Sequence, residues 1–122
     1  MRHNGICVLS ATADRSSVKA SITADSRNIW GNIHGGLIYT MADAAAGAMA
    51  HAGHRKHVTL NAAIDYLRAA GGADTIYAHG SAVKVGRSIG VYHVSIKTEE
   101  DIELAVAKIT MFFLEKTENC ST

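Results

Sequence analysis

The 122-residue chain contains no proline. It also has no low-complexity stretch and no break in composition, so no linker divides it and a single domain over residues 1–122 is expected. Charge of one sign is missing too. The formal net charge is +1 with histidine neutral, and the basic residues are scattered, which argues against a nucleic-acid-binding face. Aromatic residues make up 6% of the chain and do not alternate with basic ones as in single-strand binders. No long apolar run exists: Met1-Arg2-His3-Asn4-Gly5 lacks the apolar core of a signal peptide, and no stretch approaches a membrane span. Cysteine is scarce. Cys7 and Cys120 stand near opposite ends without metal-site spacing, and the expectation is two reduced thiols in a cytoplasmic protein, a disulfide between them being the alternative.

What the chain does have is a globular composition, 48% hydrophobic and 19% charged. At this length it can bury roughly two-thirds of its unfolded surface. Ile6–Thr12 and Ser17–Thr23 are short strand-like runs. Asp25–Ile33 is polar and reads as a loop. From Gly35 to Ala52 the sequence turns to Leu, Ile, Met and Ala, a helix that Gly53 is placed to stop. Four strand-like stretches follow, at about 58–68, 75–85, 88–98 and 104–115. Gly71-Gly72, Gly86-Arg87 and Glu99-Glu100-Asp101 supply the turns. The order of strands, helix and strand meander predicts an α+β fold with an antiparallel sheet. A helix with so few polar side chains predicts burial on nearly every face, most economically inside a curved sheet.

Asp43 is the exception on that helix. A charged, unpaired aspartate in such surroundings costs several kcal/mol. It is either satisfied by structural donors or a subunit seam, or it has a chemical task. Gly36, Thr40, Asp43 and Gly47 recur at helical spacing and share one face, where small residues leave room for a ligand. Gly35-Gly36 opens the helix. Free N–H groups there, with the positive end of the helix dipole, suit an oxyanion.

His34-Gly35-Gly36-Leu-Ile-Tyr-Thr-Met-Ala-Asp43 resembles the HGG…D signature of hotdog-fold thioesterases of the PaaI type, kin to the 4-hydroxybenzoyl-CoA thioesterases. The resemblance continues through Val58–Arg68, Ala82–Ser88 and Leu104–Phe113. It implies a curved antiparallel sheet wrapped around a central helix, and hydrolysis of an acyl-CoA thioester to free acid and CoA. By the same resemblance Asp43 matches the catalytic acid, acting as base or nucleophile. Gly35 matches the glycine whose N–H meets the thioester carbonyl. Asn28 matches the amide residue that holds the carbonyl or the water. His34 supports that loop, and Thr59 matches a hydroxyl residue near the water. Gly36, Gly86, Arg87 and Ser88 are implied in substrate or CoA binding, with Arg87 the best phosphate ligand among Lys84, Arg87, Arg55 and Lys56. Gly47 departs from relatives that carry a water-binding threonine there, and Ala69 departs from a proline often found after the arginine of the third-strand motif.

The resemblance further implies a homodimer or homotetramer with the site between subunits, and no cofactor, CoA being part of the substrate. A non-catalytic acyl-CoA-binding or regulatory protein on the same fold is the alternative. His51, His54 and His57 are evenly spaced but, separated by Gly53, should not share a helical face, and no metal is expected. Asp74 and His79 fit a hydratase-like spacing only by chance, since five residues apart on a strand means opposite faces.

Overall fold

The computed structural model describes residues 5–23 and 35–114. Six strands, β1 (Ile6–Ala11), β2 (Arg15–Ser21), β3 (His57–Tyr66), β4 (Thr75–Val85), β5 (Ile89–Thr98) and β6 (Glu103–Phe113), accompany one helix, α1 (Gly35–Ala52). The strands form one sheet in the order β1-β2-β4-β5-β6-β3, and every pairing is antiparallel. The expected elements are all present, with strand ends shifted by one or two residues. Cys7 is exposed on β1, while Cys120 lies outside the described residues. Among the described residues no helix is long and apolar enough to cross a membrane.

One face of the sheet wraps α1. Alternate residues of each strand point at the helix: Val18 and Ala20, Ile76 and Ala78, Tyr92, Val94 and Ile96, and Ala105, Ala107, Ile109 and Met111 are all buried. Against them α1 presents Leu37, Ile38, Met41, Ala42, Ala45, Ala46, Met49 and Ala50. Small residues set the close approach. A Cβ on Gly80 would stand 2.5 Å from Met49 Cε and 2.6 Å from Ser16 Oγ, and the buried Ser16 hydroxyl donates to the Ala45 carbonyl at 2.9 Å. Register shifts at Val8/Ser10, Thr59/Asn61 and Ala82/Lys84 are bulges that bend the strands around the helix.

The helix is not buried on every side, which corrects the expectation from its composition. Gly36, Tyr39 and His51 are exposed, and Asp43, Ala44, Gly47 and Ala48 are half-buried. One curved sheet covers only the face turned towards it. The opposite face carries polar Tyr39, Asp43 and His51 among alanines and glycines, which lose little by remaining near water.

The helix stop also differs from expectation. Gly53 keeps a negative φ, and the left-handed residue is His54, at φ 61°. His54 N–H donates to the His51 carbonyl at 2.9 Å and Arg55 N–H to the Ala50 carbonyl at 2.9 Å, the paired bonds of a Schellman cap with His54 at the left-handed position. Gly53 instead packs closely under the chain before β2: a Cβ there would lie 3.4 Å from Ala13 Cβ, at van der Waals contact. A side chain at a left-handed position carries a steric cost of roughly 1–2 kcal/mol, partly offset in glycine by its greater unfolded-state freedom. His54→Gly is therefore expected to stabilise the fold by about 0.5–1 kcal/mol. A denaturant midpoint at or below that of the wild type would contradict this.

Tyr92 is almost fully buried. Burial raises its phenol above the ordinary 10.0, and the nearby Arg55 guanidinium partly counters the rise. A raised folded-state value means folding favours the neutral phenol, so that contribution is intact below pH 10 and is lost as pH climbs through the raised value. Stability is expected to fall more steeply above about pH 10 in the wild type than in Tyr92→Phe. Equal alkaline slopes in the two proteins would contradict it.

Candidate active site

Asp43 projects from the middle of the uncovered face of α1, and β3 brings Thr59 to it. The Thr59 hydroxyl donates to Asp43 Oδ1 at 2.7 Å, and Met111 Sδ lies 3.6 Å from that hydroxyl oxygen. The bulge in β3 makes this pairing possible. Thr59 pairs with Met111, whereas Asn61 pairs with Thr110 and Ala62 with Ile109. With the extra residue inserted, Thr59 faces the helix and so do Ala62, Ile64 and Tyr66. Strict alternation after Thr59 would have turned Asn61, Ala63 and Asp65 inward instead. One bulge thus serves both the core and the site.

At the start of α1, Gly35 and Gly36 are exposed. The Tyr66 hydroxyl donates to the Gly35 carbonyl at 3.1 Å, and Thr40 Oγ1 donates to the Gly36 carbonyl at 2.8 Å. A cleft of about 600 Å³ opens here, bounded by Gly35, Gly36, Tyr66, Arg68 and Leu104. That is within the range of small-molecule sites. Tyr66, which fixes the first turn, was not among the residues singled out in the sequence. The only signal for it was the β3 periodicity, and the bulge scrambles that.

The sequence-derived residues do not all meet within one chain. Eight residues separate Gly35 from Asp43, which at 1.5 Å per residue is about 12 Å along the helix. A single thioester carbonyl cannot contact both. Gly86, Arg87 and Ser88 form the β4–β5 turn beyond the opposite end of α1. The Arg55 guanidinium reaches across to the Gly86 carbonyl at 3.2 Å and the Arg87 carbonyl at 2.8 Å, and it lies 3.8 Å over the Phe113 ring. Arg55 is therefore engaged in holding this turn against the loop after the helix, whereas the Arg87 and Ser88 side chains are exposed. Asn28 and His34 lie outside the described residues. His51 and His57 border a surface cleft with His54, Arg55 and Lys56, and among the described residues no three His, Cys, Asp or Glu side chains are grouped to hold a metal. Asp74 precedes β4, and His79 points to the outer face of that strand, opposite the buried Ala78 and Gly80.

The Thioesterase superfamily model matches residues 31–105, a span that includes Gly35, Asp43 and Thr59. The chain belongs to the thioesterase superfamily. A hypothetical thioesterase from Streptococcus pneumoniae, solved with coenzyme A, superposes with a TM-score of 0.84 at 28% identity, over 89% of this chain and 85% of that one. Two further structures of that protein carry alanine in place of an aspartate and of a threonine. Those two positions are sixteen residues apart, the separation of Asp43 and Thr59. The phenylacetic acid degradation protein PaaI from Thermus thermophilus, in a form with one Asn-to-Asp substitution, gives a TM-score of 0.87 at 27% identity over 93% of this chain and 97% of that one. The wrapped helix is thus the hotdog fold of this superfamily. A putative esterase from Deinococcus radiodurans is 27% identical over 100 residues, 82% of this chain and 68% of the relative. A putative esterase from Halobacterium salinarum is 36% identical over 76 residues, 58% of this chain, and that stretch spans about half (49%) of the relative.

Proposed function

We propose that this superfamily member hydrolyses acyl-CoA thioesters, with Asp43 as general base in a site completed by two chains. The observation that carries the reading is the Thr59–Asp43 hydrogen bond of 2.7 Å on the uncovered face of α1. A hydroxyl held on Oδ1 fixes the carboxylate's orientation and leaves Oδ2 free to take a proton from water. The matching aspartate–threonine spacing in the pneumococcal thioesterase, and the coenzyme A bound to that protein, support the same reading.

In this account the carbonyl oxygen rests on the Gly35 N–H of the facing chain, where the helix dipole favours developing negative charge. Asn28 orients the carbonyl. Water adds to the carbonyl carbon as Asp43 accepts its proton, and collapse of the intermediate breaks the C–S bond and releases CoA as the thiolate. The separation of about 12 Å between Gly35 and Asp43 along one helix is why the two groups come from different chains, in a homodimer or a homotetramer. The exposed Arg87 and Ser88 then serve the CoA phosphates, Arg87 through its bidentate guanidinium. Water and the thioester are the only reactants, so no cofactor enters.

The test is thiol release from a panel of aryl-, short-chain and long-chain acyl-CoAs by the purified protein. Turnover of at least one class well above the Asp43→Asn background is expected. Tight binding of acyl-CoA without turnover of any would replace this reading with a binding or regulatory protein.

A further inference from the structure

We propose that His57 is a further catalytic residue, holding the attacking water through Nε2 in the gap left by Gly47. The proposal rests on the reading of Asp43 as the base of an acyl-CoA hydrolase. His57 stands two residues before Thr59 on β3 and pairs with the buried Phe113, so its ring lies on the helix side of the strand and is half-buried. Its Nδ1 lies 3.0 Å from the Arg55 carbonyl oxygen. A carbonyl only accepts, so Nδ1 carries the proton in that bond, and in the neutral ring Nε2 is left as an acceptor. Arg55 is itself tied to the Gly86 and Arg87 carbonyls, which steadies the carbonyl that orients the imidazole.

The free nitrogen is aimed at the catalytic face. A Cβ at position 47 would stand 3.4 Å from His57 Nε2, and among the described residues no protein group bonds that nitrogen. Gly47 is one helical turn beyond Asp43 on the same face, about 6 Å along the axis. His57 and Thr59, on the same side of β3, are separated by a similar step of about 6.6 Å. In the proposed arrangement one water donates a hydrogen to the carboxylate and another to Nε2, each at about 2.8 Å, which requires the two side chains to converge from those backbone steps until their acceptor atoms stand about 4.5 Å apart. Its lone pairs are then turned away from both acceptors and towards an incoming carbonyl carbon. As the C–O bond forms, the carbonyl π pair moves onto oxygen and one water proton passes to Asp43. The other hydrogen stays on the new hydroxyl, held by His57, until the C–S bond breaks and thiolate leaves. Glycine at position 47 keeps this space open: a side chain there would stand in van der Waals contact with the ring nitrogen and occupy the water's place.

The experiment measures kcat, KM and thermal midpoint for His57→Phe, His57→Gln and Gly47→Ala, with wild type and Asp43→Asn beside them. His57→Phe is expected to lose about 10- to 100-fold in kcat, the scale of a misplaced reactant, with KM little changed. His57→Gln, which offers an amide oxygen near the Nε2 position, should recover part of that loss. Gly47→Ala should raise the thermal midpoint through better helix propensity and still lower kcat, because its methyl, 3.4 Å from Nε2, displaces the water while leaving the imidazole and its Arg55 bond in place. Wild-type kcat in both His57→Phe and Gly47→Ala, with Asp43→Asn inactive, would overturn the His57 role alone. If His57→Phe does not fold, an unchanged kcat in Gly47→Ala overturns it. A wild-type protein without turnover would overturn this role together with the hydrolase reading.

Discussion

Asp43→Asn is expected to lower acyl-CoA turnover by about two to four orders of magnitude, the range for loss of a positioned base, in a protein that remains folded. The amide keeps the shape of the carboxylate, and its oxygen can still accept the Thr59 hydroxyl that now sits 2.7 Å from Oδ1. What it loses is the capacity to take a proton. Asp43 is half-buried rather than enclosed, so removing its charge should leave the thermal midpoint unchanged or slightly raised. A structural aspartate would behave in the opposite way. Its loss would lower the midpoint while the rate per folded molecule survived, and that pair of results would remove Asp43 from the chemistry. Thiol release and thermal melting on one preparation read both quantities.

Gly35→Val should abolish turnover by a different route. Two extra methyl groups and a Cβ at the first position of α1 would cover the N–H assigned to the thioester oxygen, a donor of a kind whose loss costs roughly 100- to 1,000-fold. The structure also sets a limit on this variant. A Cβ at position 35 would already touch Tyr66 Oη at 3.4 Å, so the γ-methyls of valine press on the Tyr66 ring, and the bond it donates to the Gly35 carbonyl weakens. A small drop in thermal midpoint is expected with a large drop in kcat. Full activity in folded Gly35→Val would remove the backbone N–H from the mechanism.

Much of this was legible in the sequence because α1 and the strands carry strong local periodicity. The helix limits at Gly35 and Ala52, and β4 at Thr75–Val85, are those read from composition and turn residues. Asp43 stood out because a carboxylate is costly among alanines. Four things were hidden, each for a reason. The uncovered helix face could not be read, because alanine and glycine suit both a packed surface and one left near water. Tyr66 and the inward side of β3 were obscured by the bulge at Leu60, which shifts the alternation by one without any glycine to mark it. His54 rather than Gly53 took the left-handed cap, one residue beyond the glycine that composition marked, a one-residue shift that no local pattern announces. Arg55, weighed as a phosphate ligand, proved to bind carbonyls thirty-one and thirty-two residues away, also beyond the reach of local reading. Asn28 and His34, drawn from the family resemblance, lie outside the described residues.

In the proposed mechanism one thioester is held by Gly35 of one chain and attacked with the help of Asp43 of another. Subunit mixing tests it most directly. Asp43→Asn and Gly35→Val proteins, each inactive alone, are unfolded together, refolded at equal concentration and assayed for acyl-CoA hydrolysis. In a two-fold symmetric pair, half of the refolded pairs are mixed, and each mixed pair holds one site free of both substitutions. Recovery of about a quarter of wild-type activity is expected on that symmetry argument. If mixed pairs form, as mass spectrometry would show, and activity stays at the level of the separate variants, then Gly35 and Asp43 do not serve one site from two chains and the account is wrong.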